Sequence, residues 1–332
     1  MRKILPMKNP VNTTWTWNAD TDAVIRNSPS SIEWIYSNYV QLYCFSDKSK
    51  NDEIFIDFQL GCFEDCPYLK TQTITRDFIS IFTNDIIDFF IKCINSENYI
   101  FAFVDESVFI NGRNNKYCHE IFIFGYDTDS REFDVADFTF SVGYSFSKVS
   151  FDDVEKSYYN INKSDSVYCN PLKIASINNQ ANYKFDKTLF KQSLQCYVNS
   201  CFTYEYNRIS SNRNDNISYT YGLSVYDCII DHLLYCKNMK VKIDIRPLHL
   251  EYIHKVIMKD RFNYLVEKKI LDNETDICTS IDIICKKLLE VRNLCIKYNI
   301  TFNHEQICKI QLKISEIKEN EQKLLQHVLK II

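Results

Sequence analysis

Five glycines, Gly61, Gly112, Gly125, Gly143 and Gly222, are all that this 332-residue chain contains. They lie too far apart to combine. A dinucleotide-binding turn needs the Gly-x-Gly-x-x-Gly spacing, and a phosphate loop needs its own closely set pair, so that the backbone can approach a phosphate. Neither can be built here, which excludes nucleotide-loop enzymes of the Rossmann and P-loop kinds.

Charge narrows the field further. The net charge is −4, and acidic and basic residues are interspersed without a Lys/Arg block. The electrostatic footprint of a nucleic-acid binder is missing. The first residues, Met1-Arg2-Lys3-Ile4-Leu5-Pro6-Met7-Lys8, are basic but lack the apolar run of a signal peptide. No stretch approaches the roughly 18 apolar residues of a membrane span. A cytoplasmic protein without membrane contact is expected.

The chain carries 14 cysteines. They are scattered and form no Cys-x-x-Cys. Cys62 and Cys66 are the closest pair, and no second pair or histidine partner stands at zinc spacing. Neither a metal nor another cofactor is expected. The cysteines read as small buried hydrophobes kept reduced inside a cell.

Residues 11 to 26 read as extended, with Trp15 and Trp17 alternating around polar neighbours. Ser28-Pro29-Ser30-Ser31-Ile32-Glu33 has cap and first-turn chemistry, and predicts a helix running to about Cys44. Residues 54 to 58 read as a strand and 74 to 95 as helical in one or two pieces. Three strands follow, over 99–104, 119–127 and 133–137, the last two joined by a tight turn. A short helix is predicted over 151–158, with Asp152 and Asp153 at its positive end. Beyond residue 160 the apolar periodicity is helical over 185–200, 223–236, 246–268, 276–299 and 303–331. The fold class is α+β. A mixed unit with antiparallel strands covers residues 1–160, and a helical half covers 161–332.

One pair carries chemistry. His119 begins a strand and Asp137 ends the next, and an antiparallel hairpin sets such residues side by side. A carboxylate beside an imidazole fixes its tautomer and stabilises the imidazolium, which is the base and orienter part of a nucleophilic triad. The alternative is a strand-edge histidine with an acidic structural neighbour. Farther on, Arg246, His249, His254 and Arg261 would suit a phosphate, or else form a solvated face or helix-terminal partners.

The stretch from Tyr99 to Tyr158, with its apolar strand, the histidine strand from His119 to Gly125-Tyr126-Asp127, Asp137 at the next strand end and Ser150-Phe151-Asp152-Asp153-Val154, resembles papain-like cysteine-peptidase homologues of the butirosin biosynthesis protein H type. Asp244-Ile245-Arg246-Pro247-Leu248-His249 and its sequel resemble the accessory helical region of that group. The resemblance implies a papain-like unit packed with a helical half. It also implies acyl transfer or amide bond formation in peptide or thiotemplated natural-product assembly, closthioamide assembly among them. The acyl group would pass from an acyl or peptidyl carrier-protein thioester to an amine acceptor.

The resemblance places a nucleophilic cysteine at the start of the first long helix, where free N–H groups and the dipole lower a thiol pKa. Mapped onto this chain that position is 27–31, which holds no cysteine. Three readings stay open: Ser28 replaces the thiol; Cys44, Cys62 or Cys66 serves from an unusual geometry; or the nucleophile is lost and the fold binds its partner without chemistry. A cysteine peptidase is a further alternative.

Overall fold

The computed structural model describes residues 1–47, 53–60, 63–110, 112–113, 115–141, 143–161, 169–202, 217–272 and 275–332. Two compact units emerge: Met1–Ser31 with Cys62–Tyr183, and Ile32–Gly61 with Lys184–Ile332. The fold is α+β. The division differs from a single cut at 160. Residues 32–61 group with the C-terminal elements because their hairpin, β2 (Leu42–Asp47) and β3 (Glu53–Phe58), pairs with β10 (Ile217–Tyr221). Among the described residues no helix is long and apolar enough to cross a membrane.

The first unit is built on an antiparallel sheet. Its strands are β1 (Arg2–Ile4), β4 (Leu69–Thr75), β5 (Asn98–Asp105), β6 (Cys118–Asp127), β7 (Glu132–Asp137), β8 (Ser145–Ser150) and β9 (Pro171–Ile177). Their order is β4-β9-β5-β6-β7-β8, with β1 also on β6. The ten-residue strand β6 is central. Its first part pairs with β5, while Gly125, Tyr126 and Asp127 pair with β1. Gly125 is required there. A Cβ would stand 3.0 Å from both Asp134 Oδ2 and the Lys3 carbonyl oxygen.

Helices α3 (Arg76–Phe82), α4 (Ile86–Asn95) and α5 (Phe151–Tyr159) belong to this unit. Each opens on a residue that sequence reasoning favours as a cap. Thr75, Asp85 and Ser150 accept the backbone N–H groups of Phe78, Asp88 and Asp153, satisfying donors the helix itself cannot.

Two expectations near the N-terminus are corrected. Residues 16–25 are not extended but form helix α1 (Thr16–Ile25), in which every residue except Trp17 is buried. The Trp15/Trp17 alternation comes from the helix start, where the two rings stack with centroids 5.4 Å apart. A helix buried nearly all round has no polar face, so its period is unreadable. The next helix, α2 (Ser31–Asn38), is short and stops well before Cys44, which lies within β2.

A third correction concerns the cysteines. Cys118 and Cys169, expected as thiols, are joined in a disulfide with Cα atoms 6.7 Å apart. Cys118 begins β6, and Cys169 stands just ahead of β9. The Arg76 guanidinium braces the same region, donating to the carbonyl oxygens of Cys169 (3.2 Å), Tyr158 (2.8 Å) and Phe103.

The second unit packs α6 (Lys187–Val198), α7 (Val225–Met239), α8 (Arg246–Glu267), α9 (Thr275–Thr301) and α10 (His304–Ile331) with the three-stranded sheet. The five predicted helical periods correspond to these five helices. Pro247 sits in the first turn of α8, where its missing N–H costs nothing. Gly222 is left-handed, with φ of +58°, and a Cβ there would stand 2.1 Å from the Tyr197 carbonyl oxygen.

Of Arg246, His249, His254 and Arg261 on α8, Arg246 is exposed and His249 half-buried, whereas the other two belong to neither a phosphate site nor a solvated face. His254 and Arg261 are fully buried. Arg261 donates to the Tyr36 and Tyr39 carbonyl oxygens at the end of α2, both at 2.6 Å, and so caps the negative end of that helix. His254 Nε2 donates to the Val40 carbonyl oxygen at 2.8 Å. Burial, then the neighbouring Lys255 charge, holds His254 neutral. Lys255 is itself fully buried, 3.0 Å from Glu251 Oε2 and 2.9 Å from Glu321 Oε1.

Candidate functional site

His119 and Asp137 are brought together by an irregularity in the sheet. From Asp127↔Glu132 to Gly125↔Asp134 the β6–β7 ladder runs in one register, but it continues as Ile123↔Val135 and Phe122↔Ala136. Phe124 is the extra residue of a β-bulge. A one-residue shift reverses which side chains share a face. In the first register Asp137 would stand opposite Phe122, and His119 would point to the other side. In the second, Asp137 falls on the face of residues 119 and 121. The result is an Nδ1–Oδ2 distance of 3.7 Å between His119 and Asp137, an ion-pair separation rather than a direct hydrogen bond.

The surroundings hold both groups in place. Asp137 is buried, its Oδ1 accepting the Phe138 N–H at 2.5 Å. The Thr139 hydroxyl lies 2.5 Å from Asp137 Oδ2 and 2.9 Å from Glu106 Oε1. It has one proton and can donate to one carboxylate at a time. Glu106 pairs with Arg113, whose guanidinium lies 4.5 Å above the Tyr117 ring centre. Tyr117 in turn stacks on His119 at 6.0 Å. The imidazole has Glu120 on both sides, with Nδ1 3.1 Å from its carbonyl oxygen and Nε2 3.6 Å from Oε2.

These carboxylates govern the charge of the imidazole. Burial works against the imidazolium, but the interaction with the Asp137 carboxylate, followed by the charges of Glu120 and Glu106, outweighs it and raises His119 to about 9. The side chain is 25% exposed, so it is reachable from solvent while charged at neutral pH.

Helix α1 supplies another wall. Asp20 is wholly buried and accepts the Tyr144 hydroxyl at 2.7 Å. Burial raises its pKa well above the carboxylate range; the Tyr144 bond opposes this, and Asp137 and Glu120 add to it. Asp20 Oδ2, both side-chain polar atoms of Asn12, and the hydroxyls of Thr14 and Thr21 have no protein hydrogen-bond partner although buried. Buried polar atoms are normally satisfied. Asp22 organises the same turn, accepting the N–H groups of Val11 at 2.5 Å and Asn12 at 3.2 Å.

The other sequence candidates are placed as follows. Ser28 occupies the turn between α1 and α2, its hydroxyl 3.2 Å from that of Ser30. It does not start a long helix, since the first helix of the chain begins at Thr16. Cys66 belongs to the first unit and is buried, and burial pushes its thiol up to about 12. Cys44 belongs to the second unit and is fully buried. Cys62 lies outside the described residues. Sequence reasoning missed Glu106, Glu120, Thr139, Asp20 and Tyr144. Glu120, adjacent to His119, was the one signal within reach. Among the described residues no group of three or more His, Cys, Asp or Glu side chains is arranged to hold a metal ion.

Comparison with known proteins adds little. No family model matches the chain. A stretch of 134 residues is 29% identical to the uncharacterized protein L334 of Acanthamoeba polyphaga mimivirus, covering 38% of this chain and 68% of that protein.

Proposed function

We propose that the protein is a papain-like acyltransferase, moving an acyl group from a carrier-protein thioester to an amine in peptide or thiotemplated natural-product assembly. The carrying observation is the His119–Asp137 pair, with Asp137 buried and His119 open to solvent. In this reading the amine attacks the thioester carbonyl directly. Above its pKa of about 9, where the imidazole is neutral, His119 takes the proton of the uncharged amine as the new C–N bond forms, the C–S bond breaks, and the departing thiolate recovers a proton from His119. Direct attack suits a site where Cys118 is held in a disulfide and the Cys66 thiol is kept protonated by burial.

The test uses aminoacyl thioesters of N-acetylcysteamine with a panel of primary amines. His119→Ala should lower amide formation by about 100-fold or more, while Cys66→Ala and Cys44→Ala keep most of it. Wild-type protein that forms no amide with any acceptor, or His119→Ala that retains full activity, would overturn the proposal.

The raised pKa of His119 favours a second reading. An imidazolium is no base at neutral pH, and the same site would then hold an acylated carrier or a peptide without turnover. Binding of an acylated carrier protein that is lost in His119→Ala, with no product at any pH up to 10, would select this reading.

A further inference from the structure

Beside the His119 site lies an open cleft of about 530 Å³, lined by Gly112, Arg113, Asn115, Lys116 and Tyr117. That volume is in the range of small-ligand sites. Among the described residues its charged walls are both cationic, Arg113 and Lys116. Tyr117 joins the cleft to the imidazole. The Tyr117 side chain is 48% exposed, and its ring stacks on His119 with centroids 6.0 Å apart and planes 22° from parallel. The Arg113 guanidinium carbon stands 4.5 Å from the centre of the same ring.

This platform is fixed from below. The Tyr117 N–H donates to Asp105 Oδ1 at 3.1 Å, and its carbonyl oxygen accepts the Glu106 N–H at 2.9 Å. The Glu106 carboxylate in turn holds one terminal nitrogen of Arg113. A guanidinium carries five N–H donors in a planar fork, so one carboxylate leaves donors for a second anion. One exposed aromatic ring therefore has an imidazole on one side of the site and a cationic cleft on the other.

We propose that this cleft is the acceptor subsite, and that the acceptor is a short peptide lying over Tyr117 with its amine at His119 and its terminal carboxylate on Arg113 and Lys116.

Geometry limits the length of that peptide. The imidazole centre and the guanidinium carbon are no farther apart than their two distances to the Tyr117 ring laid end to end. An extended chain covers about 3.3–3.6 Å per residue, so two or three residues fill the span and longer peptides overhang it. Asn115 brings a side-chain amide that can donate to and accept from the peptide groups in between. Naming the amine end as the acceptor rests on the acyl-transfer reading of His119; capture of the carboxylate by the cleft does not.

Binding tests the two apart. The full chain is titrated with glycylglycine and triglycine, each against its C-terminal amide, and followed through the His119 imidazole C–H resonances. At about pH 9.5 a peptide amine, with a pKa of about 8, is uncharged, so peptide and amide differ in the carboxylate alone. At least one peptide should bind about tenfold more tightly than its amide and shift the His119 resonances. Arg113→Gln and Lys116→Gln, two exposed-loop substitutions made separately, should each shrink that preference. Equal affinity for peptides and amides, no binding of any of them, or a preference that survives both substitutions would overturn the proposal. A carboxylate preference that depends on Arg113 and Lys116, in protein that forms no amide from thioesters, would support the cleft as a peptide site and count against acyl transfer alone.

Discussion

His119 and Asp137 face one another because Phe124, five residues along β6, has no partner on β7. Without the bulge the strand pair would carry the same two residues on opposite faces of the sheet. The relationship is therefore written into the ladder and not only into the side chains. It makes the electrostatics of the site sensitive to each of its carboxylates.

Asp137→Asn removes the strongest interaction that favours the imidazolium. The His119 pKa should fall from about 9 back toward the ordinary histidine range, by more than one unit. Titration of the imidazole C–H resonances by NMR checks this, and an unchanged midpoint would mean that Glu120 and Glu106 dominate instead.

The same shift has a sign for stability. His119 binds its proton more tightly folded than unfolded, since its pKa is raised from 6.5 to about 9. The stabilisation is complete below about 6.5 and is lost as pH rises through about 9. Its size is on the order of 3 kcal/mol. Urea midpoints of wild type and His119→Gln should converge between pH 6 and pH 10, with wild type losing more.

Gly125→Ala should destabilise the first unit by about 1–3 kcal/mol. The new Cβ meets the Lys3 carbonyl and Asp134 at 3.0 Å, and β1 must move off β6. Early hydrogen exchange of β1 amides would show the displacement. Gly143→Ala is not an equivalent control, since its φ of +103° is itself strained for alanine.

Lys255→Met should cost about 3–5 kcal/mol, because it leaves Glu251 and Glu321 buried without their cation. Loss of protection in α8 and α10 by hydrogen exchange, with the β6 amides unchanged, is the expected pattern.

Replacing Cys118 and Cys169 by serine opens a crosslink across 51 residues. A loss of roughly 2–5 kcal/mol is expected. A melting temperature that is the same with and without dithiothreitol in the wild type would contradict it.

Much of this structure is legible from sequence, for reasons that differ between its parts. The helices α6 to α10 carry apolar periodicity, and β5, β6 and β7 carry apolar runs between turn residues, so their type is evident. Helix α1 is not, because a nearly all-buried helix lacks a polar face. The strands β1, β4 and β8 have no continuous core run of their own and are defined by their partners. His119 and Asp137 can be paired by sequence, but the reason for their shared face cannot. A bulge leaves no mark beyond one glycine. Arg261 serves as a helix-terminal partner, one of the roles open to it from sequence, but its burial and that of His254 carry no mark in a basic, polar helix pattern.

The interleaving of the two units sets an order on the ribosome. Strands β2 and β3 emerge early, yet the edge they need at β10 comes from residues 217–221, long after most of the first unit is complete. Until then the hairpin must wait as an unpaired edge, a template for association with other chains. Synthesis that pauses between β3 and β10 therefore exposes the nascent protein at its most adhesive stage, and expression at low temperature or with a holding chaperone should raise the soluble yield.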